Sequence, residues 1–193
     1  MEKEITAIRA QKRNPARVNI YLDGEYAFAL ARISAAWLTV GLKIDEKAIE
    51  RLRSQDEVEQ AYQKALHYLS FRPRSEQEVF NSLTAKGFSE TLAQTTVMRL
   101  KDERLLGDER FSHTWIENRS TFRPRSQRML RYELLQKGVN EDTIQQALAD
   151  ADIDEEELAY KAGLSKASKV NTSDWLTFRS KVGSFLARRG FPY

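Results

Sequence analysis

The stretch Phe71-Arg72-Pro73-Arg74-Ser75 returns 51 residues later as Phe122-Arg123-Pro124-Arg125-Ser126, identical at all five positions. A second element keeps step with it. Leu83-Thr84-Ala85-Lys86-Gly87-Phe88 matches Leu134-Leu135-Gln136-Lys137-Gly138-Val139, and Leu186-Ala187-Arg188-Arg189-Gly190-Phe191 follows 52 residues after that. Self-similarity at such a period marks a supersecondary unit repeated along the chain, each copy stacking on its neighbours. Punctuation inside the period resolves the unit into three helices. The residue before a proline avoids the helical region, so a helix ends at each Arg-Pro pair. Ser75 opens the next helix with Glu78 three residues on as a capping box; Ser126 opens its counterpart, where Met129 supplies no carboxylate. Gly87 and Gly138 each precede an apolar residue, the pattern of a left-handed helix stop whose following side chain folds back on the helix. Ser89 and Asn140 start third helices running to about residues 101 and 149. Asp108 is read as the cap of the helix that turns Phe111, Trp115 and Ile116 inward.

Upstream of the repeats the period changes from helical to alternating. Val18, Ile20 and Leu22 alternate with polar neighbours, Asp23-Gly24 makes a two-residue turn, and Tyr26, Phe28 and Leu30 resume the alternation, which is a hairpin signature. The run 5–11 supplies a third strand before the break at Arg13-Asn14-Pro15. Helical spacing then predicts one short helix over 33–40 stopped by Gly41, and a second over 45–53 capped by Asp45. A longer one carries Val58, Tyr62, Ala65, Leu66 and Leu69 on one stripe. The expected fold is mainly α: tandem three-helix repeats in a curved array, preceded by a small N-terminal β-hairpin or three-strand module. The segments are 1–53 for the β module with its short helices, 54–106 and 107–153 for two repeats, and 154–193 for a third that stops one helix early.

Composition narrows the chemistry. The 193 residues include no cysteine, which removes disulfide frameworks, thiolate zinc sites, iron–sulfur clusters and thiol catalysis. No run approaches the roughly 18 apolar residues of a membrane span, and charges scattered through 1–20 leave no secretory h-region. A cytoplasmic setting with no membrane partner is the expectation. The net charge of +3 hides a strong segregation: residues 138–158 carry eight acidic and no basic side chains, whereas 159–193 carry seven basic and one acidic. Basic blocks of this kind suit an anionic partner.

Catalytic constellations are thin. His67 and His113 stand in no metal or triad spacing and read as surface histidines. The eight glycines form neither a P-loop nor a dinucleotide fingerprint. The acidic run 150–157 lacks the glycine and terminal glutamate of a calcium loop and reads as charge around a helix start, so no metal and no cofactor is expected. The aromatic residues Trp115, Phe80, Phe88, Phe111, Tyr132 and Phe178 fall at core spacing, while Tyr21 and Tyr26 near the hairpin tip are left open between core and contact. The repeated arginines are the better candidates. Arg72 and Arg74 flank Pro73, Arg123 and Arg125 flank Pro124, and stacking the units sets the pairs on one face. Arg119, Arg128 and Arg131 thicken the second patch; Lys181, Arg188 and Arg189 load the third. These ten side chains are the expected partner- or DNA-binding set, set against the plainer reading that arginines near helix C-termini satisfy carbonyls and the dipole.

In combination the motifs identify a resemblance. Ala65-Leu66-x-Tyr68-Leu69-Ser70-x-Arg72-x-Arg74-Ser75-x-x-Glu78, Leu83-x-x-Lys86-Gly87-Phe88, and Leu105-Leu106-Gly107-Asp108-x-x-Phe111-x-x-x-Trp115 resemble the RecX family, bacterial regulators of the RecA recombinase. Leu134-x-x-Lys137-Gly138-Val139 and Leu186-x-Arg188-Arg189-Gly190-Phe191 continue the likeness, which covers about residues 60 to 191. The resemblance implies a non-enzymatic, monomeric modulator that lies in the groove of the RecA filament on single-stranded DNA. It also implies bridging of neighbouring protomers and restraint of strand exchange, ATP hydrolysis and coprotease activity. Two departures stand out. Arg123-Pro124 replaces a glycine-containing turn common in the family, and the chain stops at Phe191-Pro192-Tyr193 where one more helix is expected, leaving Leu186 and Phe191 short of cover. The alternative is a stand-alone, sequence-tolerant binder of single- or double-stranded DNA reading phosphates through its arginine-rich turns.

Overall fold

The computed structural model describes residues 2–171 and 173–192. Four strands, β1 (Lys3–Ala10), β2 (Arg17–Leu22), β3 (Glu25–Ala31) and β4 (Lys43–Ile44), precede eight helices. These are α1 (Glu46–Leu69), α2 (Glu76–Thr84), α3 (Glu90–Asp102), α4 (Asp108–Phe122), α5 (Gln127–Gln136), α6 (Glu141–Asp150), α7 (Glu155–Ala167) and α8 (Trp175–Arg188). The chain divides into two compact units, one of residues 1–68 with 83–96, the other of 69–82 with 97–193.

In the first unit the strands form an antiparallel sheet in the order β3-β2-β1-β4. The hairpin register pairs Val18 with Leu30 and Ile20 with Phe28, so all four apolar side chains face one core. Asp23 and Gly24 both take positive φ, 51° and 90°, as a tight hairpin turn whose twist matches the strands requires. Asp23 also latches the turn to β1 by accepting the Glu4 N–H at 3.0 Å. Tyr26 is exposed and meets Tyr21 edge-on at 6.0 Å. Ile5, Leu38, Ile44, Ile49 and Leu52 complete the core, the last two from α1.

Two helical expectations fail in this unit. Residues 33–40 form turns, not a helix: the Ala36 and Leu38 N–H groups bond three residues back, Ala35 and Leu38 are drawn into the sheet's core, and Gly41 N–H pairs with Ile5 O. The helices expected separately over 45–53 and from Val58 are one 24-residue helix, α1, with Asp45 capping it through the Ala48 N–H at 2.7 Å. No glycine or proline interrupts 46–69. Asp56, 3 % exposed, fixes α1 to the sheet by accepting from Arg17 at 2.7 Å, the Ala31 N–H at 2.6 Å and Gln60 at 2.6 Å. A buried carboxylate so fully paired holds its geometry tightly.

The helix ends follow the repeat. The Phe88, Val139 and Phe191 N–H groups donate to the Leu83, Leu134 and Leu186 carbonyls, and Gly87, Gly138 and Gly190 all have φ near +90°, between +79° and +91°. Leu-x-x-Lys/Arg-Gly-apolar is therefore one helix stop used three times, closing the last turn through a left-handed residue. Phe191 is 4 % exposed, packed with Leu158 and Ala162, so the short cover expected there is not found. Tyr132, expected in the core, is 58 % exposed; Phe111 is buried in the α4–α6 core with Ile116, Leu130 and Ile144.

Within the second unit the two motifs dock on each other. Ser75, fully buried, caps α2 by accepting the Glu78 N–H at 3.1 Å and donates its hydroxyl to Lys137 O at 2.6 Å. Glu78 closes the box on the Ser75 N–H at 3.3 Å, as the spacing predicts. One copy further on, Ser126 caps α5 through the Met129 N–H at 3.2 Å, and its own N–H goes to Arg189 O at 3.1 Å. The carbonyl of the next helix stop thus takes the donor that Glu78 satisfies in the first copy. These approaches leave no room at the stops. A Cβ on Gly138 would collide with the Gln77 side chain, and one on Gly190 with the Ser126 hydroxyl, whereas one on Gly87 meets nothing within 4 Å.

The neighbouring helix starts interlock in the same way. Asp108 does not cap its own helix; Gly107 holds that position. Instead Asp108 accepts the Glu76 N–H at 2.9 Å while Glu76 accepts the Asp108 N–H at 3.3 Å, each carboxylate capping the other's helix. Lys101 closes on Glu76 at 2.7 Å. In the next copy Glu155 accepts the Gln127 N–H, and Asp154 caps α7 through the Glu157 N–H at 3.0 Å. Much of the acidic run 150–157 is thereby spent on helix starts, and no cluster able to hold a metal occurs among the described residues.

Replacement of Gly87 by alanine is expected to cost about 1 kcal/mol for its left-handed backbone, and Gly138→Ala roughly 2 kcal/mol more for the collision, read from urea unfolding midpoints. Equal losses would contradict the docking role. Glu78 supplies a second test. Burial by itself raises its carboxyl, but hydrogen bonds from Arg72, Lys137 and the Ser75 N–H outweigh that and bring the pKa down from 4.5 to about 2. A carboxyl depressed on folding contributes stability that is complete above its unfolded pKa and lost as pH falls through the folded one. The stability difference between the natural chain and Glu78→Gln is therefore expected to shrink between pH 4.5 and 2 and to stay constant above pH 6; a pH-independent difference would contradict it.

Candidate basic recognition surface

All ten basic residues singled out in the sequence lie in the second unit, and their surroundings sort them. The first group is tied into a network around two carboxylates. Arg72 contacts Glu78 at 2.8 Å and its own Pro73 carbonyl at 2.9 Å, and Lys137 reaches the same Glu78 oxygen at 2.8 Å. Glu133 is the second centre. It accepts from Trp115 Nε1 at 2.9 Å and Arg119 Nε at 2.7 Å, and its other oxygen lies 3.0 Å from Arg125 Nε. Arg119 and Lys137 both sit over the Trp115 ring, 4.3 and 5.3 Å from its centroid.

This network makes the basic groups contiguous. Arg72 and Arg119 line one 160 Å³ recess with Trp115 at its wall, and Arg119 and Arg125 share Glu133. Arg74, half-buried, lines the adjoining recess with Phe71 and Arg110. Arg123 projects into solvent from the end of α4, and Arg189 donates to Pro124 O at 2.9 Å while stacking on Phe185 at 4.4 Å. Burial, then the charges of Arg125 and Arg123, hold the Arg189 guanidinium below its ordinary range.

Arg128 and Arg131 stand apart, on an open 700 Å³ groove between α5 and α6, where Arg131 pairs with Glu141 at 2.8 Å on the surface. Lys181 and Arg188 are exposed on α8. Arg72 and Arg189 each satisfy a proline carbonyl in the loop ahead of α2 and α5, rather than a carbonyl of a helix's last turn.

Several important side chains escape the sequence reading. Phe71 and Phe122, equivalent at 51 residues, are 69 % and 74 % exposed beside Arg72 and Arg123. Their identity at the same repeat position, with no core role to explain it, was the available signal. Glu133 carries no local pattern that marks it as an organiser, and Lys137, though part of the repeated Leu-x-x-Lys-Gly stop, carries none that points to Glu78 or Trp115. Trp115, expected in the core, packs partly buried against it and has a further role that the sequence does not show, with its N–H on Glu133 and its ring under cations.

Family models match the chain in order: the regulatory protein RecX N-terminal domain at residues 3–45, the first RecX three-helix domain at 61–100, and the second at 108–148. Regulatory protein RecX of Geobacillus sp. (strain WCH70) is 32 % identical over 97 % of this chain and 72 % of its own length. That of Clostridium perfringens (strain 13 / Type A) is 31 % identical over 98 % and 91 %. A crystal structure of regulatory protein RecX superposes with a TM-score of 0.72 at 28 % identity, covering 98 % of this chain and 95 % of its own. The RecX structure from Lactobacillus salivarius shares the fold at a TM-score of 0.60 and 20 % identity, over 72 % of this chain and 91 % of its own. No described helix is long and apolar enough to cross a membrane. On three consecutive domain matches and near full-length likeness, the chain belongs to the RecX family of regulatory proteins.

Proposed function

We propose that this chain regulates the RecA recombinase by laying its Phe-Arg-Pro-Arg turns in the groove of the RecA filament on single-stranded DNA, restraining strand exchange, ATP hydrolysis and coprotease activity. The observation that carries this reading is the exposure of Phe71 and Phe122, 69 % and 74 %, at equivalent turns. Phe71 stands two residues past the end of α1 and Phe122 is the last residue of α4, and each stands next to an arginine. Aromatic and arginine side chains together make the usual energetic centre of a protein interface. Two copies of one contact suit a partner that itself repeats along a helix. Segments 54–106 and 107–153 each present one such turn in this reading, and the protein acts by binding, not by catalysis, in the compartment where RecA works.

Added below one copy per RecA protomer, the chain is expected to slow DNA-dependent ATP hydrolysis by the cognate RecA; an unchanged rate and an unchanged filament lifetime would refute the reading. The double variant Phe71→Ala, Phe122→Ala removes two exposed rings and is expected to raise the concentration needed for half-inhibition by about 30-fold, the scale of an interface centre worth ~2 kcal/mol. A double variant that inhibits as well as the natural chain would move the contact elsewhere.

A further inference from the structure

The stripe of α1 that faces the sheet changes character halfway along the helix. Ile49 and Leu52 pack in the sheet's core, Asp56 bonds to Arg17 and Ala31, and helical spacing continues the stripe as Gln60, Gln63 and His67. Opposite that polar half stand Ala16, Ala31, Ile33 and Ala36, and the two walls bound a groove of 810 Å³. Every residue that lines it belongs to the first unit. An apolar wall across from a polar one leaves both without a partner, and Ile33 is 80 % exposed. The turn segment 33–40 buries Ala35 and Leu38 in the sheet's core but turns Ile33, Trp37 and Val40 outward. Large apolar side chains held outward on one segment mark an interaction surface. The groove is also basic. Arg32 and Lys64 line it, and among the described residues no carboxylate pairs with either. Glu59, a carboxylate in the lining, already accepts from Gln63 at 2.8 Å.

We infer that this groove docks an acidic amphipathic helix of a partner protein, with its apolar stripe on Ile33 and Ala36 and its carboxylates beside Arg32 and Lys64. A helix presents one apolar and one polar face at once, which is what the two unlike walls require. The polar stripe from Gln60 to His67 rises about 10 Å along α1, two turns against which a second helix can lie. The unpaired cations select an acidic partner over a basic one by charge complementarity. The surface lies in the first unit and the Phe-Arg-Pro-Arg turns in the second, so it stands whether or not those turns meet RecA.

Methyl and side-chain amide NMR of the full-length chain tests this with a defined probe. The probe is a peptide of about 15 residues, long enough to form a helix, with leucines at helical i, i+3, i+4 and i+7 spacing and glutamates on the other face. A second peptide carries lysine in place of every glutamate. The Ile33 methyl and the Gln60 and Gln63 amide signals are expected to move together and saturably with the glutamate peptide, while the buried Ile144 methyl of the second unit stays in place. The lysine peptide is expected to bind about tenfold more weakly. Ile33→Ser and Lys64→Glu change exposed side chains and leave the core intact. Each is expected to weaken the glutamate peptide about tenfold, read from the Gln63 amide, with no loss of melting temperature. No saturable shift up to about 1 mM peptide overturns the inference. So does a lysine peptide that binds as well as the glutamate one, or either variant binding like the natural chain. Sedimentation supplies a last arm: self-association of the natural chain that Ile33→Ser abolishes would give the groove to a second copy and overturn the inference.

Discussion

The close approach between a buried serine and the glycine-terminated end of the next helix is the constraint from which the rest of the second unit follows. Ser75 donates to the carbonyl of Lys137, and Ser126 takes its place against Arg189 through its own N–H. The contact requires a small polar residue on one side and a residue without Cβ, in a left-handed conformation, on the other. It also requires the incoming chain to leave the helix ahead of the proline, as α1 does at Leu69 and α4 at Phe122. The 51-residue repetition is thus the record of a packing demand. Because the serine points in, the arginines and phenylalanines before it are carried to the surface, and any recognition surface built on them inherits its geometry from the joint.

Capping does a second job at these joints. Four N–H groups at each helix start lack an internal partner. Beside the local caps, three are met across elements: Glu76 and Asp108 cap each other's helices, and Glu155 serves the start of α5. Each such bond orients two helices at once, which is why charged residues near helix starts here position neighbours as well as stabilising their own helix. The arginines divide along the same line. Those held by Glu78 and Glu133 form a framework around Trp115 in which two carboxylates are shared among four cations, whereas Arg123 and Arg189 pair with no carboxylate among the described residues.

Local chemistry was legible from the residues and long-range chemistry was not. The Asp23-Gly24 hairpin, the three helix stops, the Ser75 box and the caps at Ser89, Asn140 and Ser126 involve partners within a few positions, and each was read from spacing. The turns over 33–40 look helical by periodicity because Ala35 and Leu38 are apolar for a different reason, burial under the sheet. The fusion of two short helices into α1 follows from Asp56, whose partners Arg17 and Ala31 lie 39 and 25 residues away. Asp108 has the right identity and place for an N-cap, yet its oxygen is claimed by a helix start 32 residues upstream. Of the candidate surface, the paired arginines were visible by repetition; the role of Glu133 and the surface position of Tyr132 depended on tertiary neighbours.

The central claim is that the two equivalent turns, exposed because the joint forces them out, are where the protein meets its partner. Hydroxyl-radical footprinting of the full-length chain, free and bound to RecA filaments on single-stranded DNA, addresses it side chain by side chain. Phe71 and Phe122 are predicted to lose most of their reactivity together on binding, while exposed Tyr160 and Trp175, remote from the turns in sequence, keep theirs. Undiminished reactivity at both phenylalanines, with protection confined to other surfaces, would contradict the account.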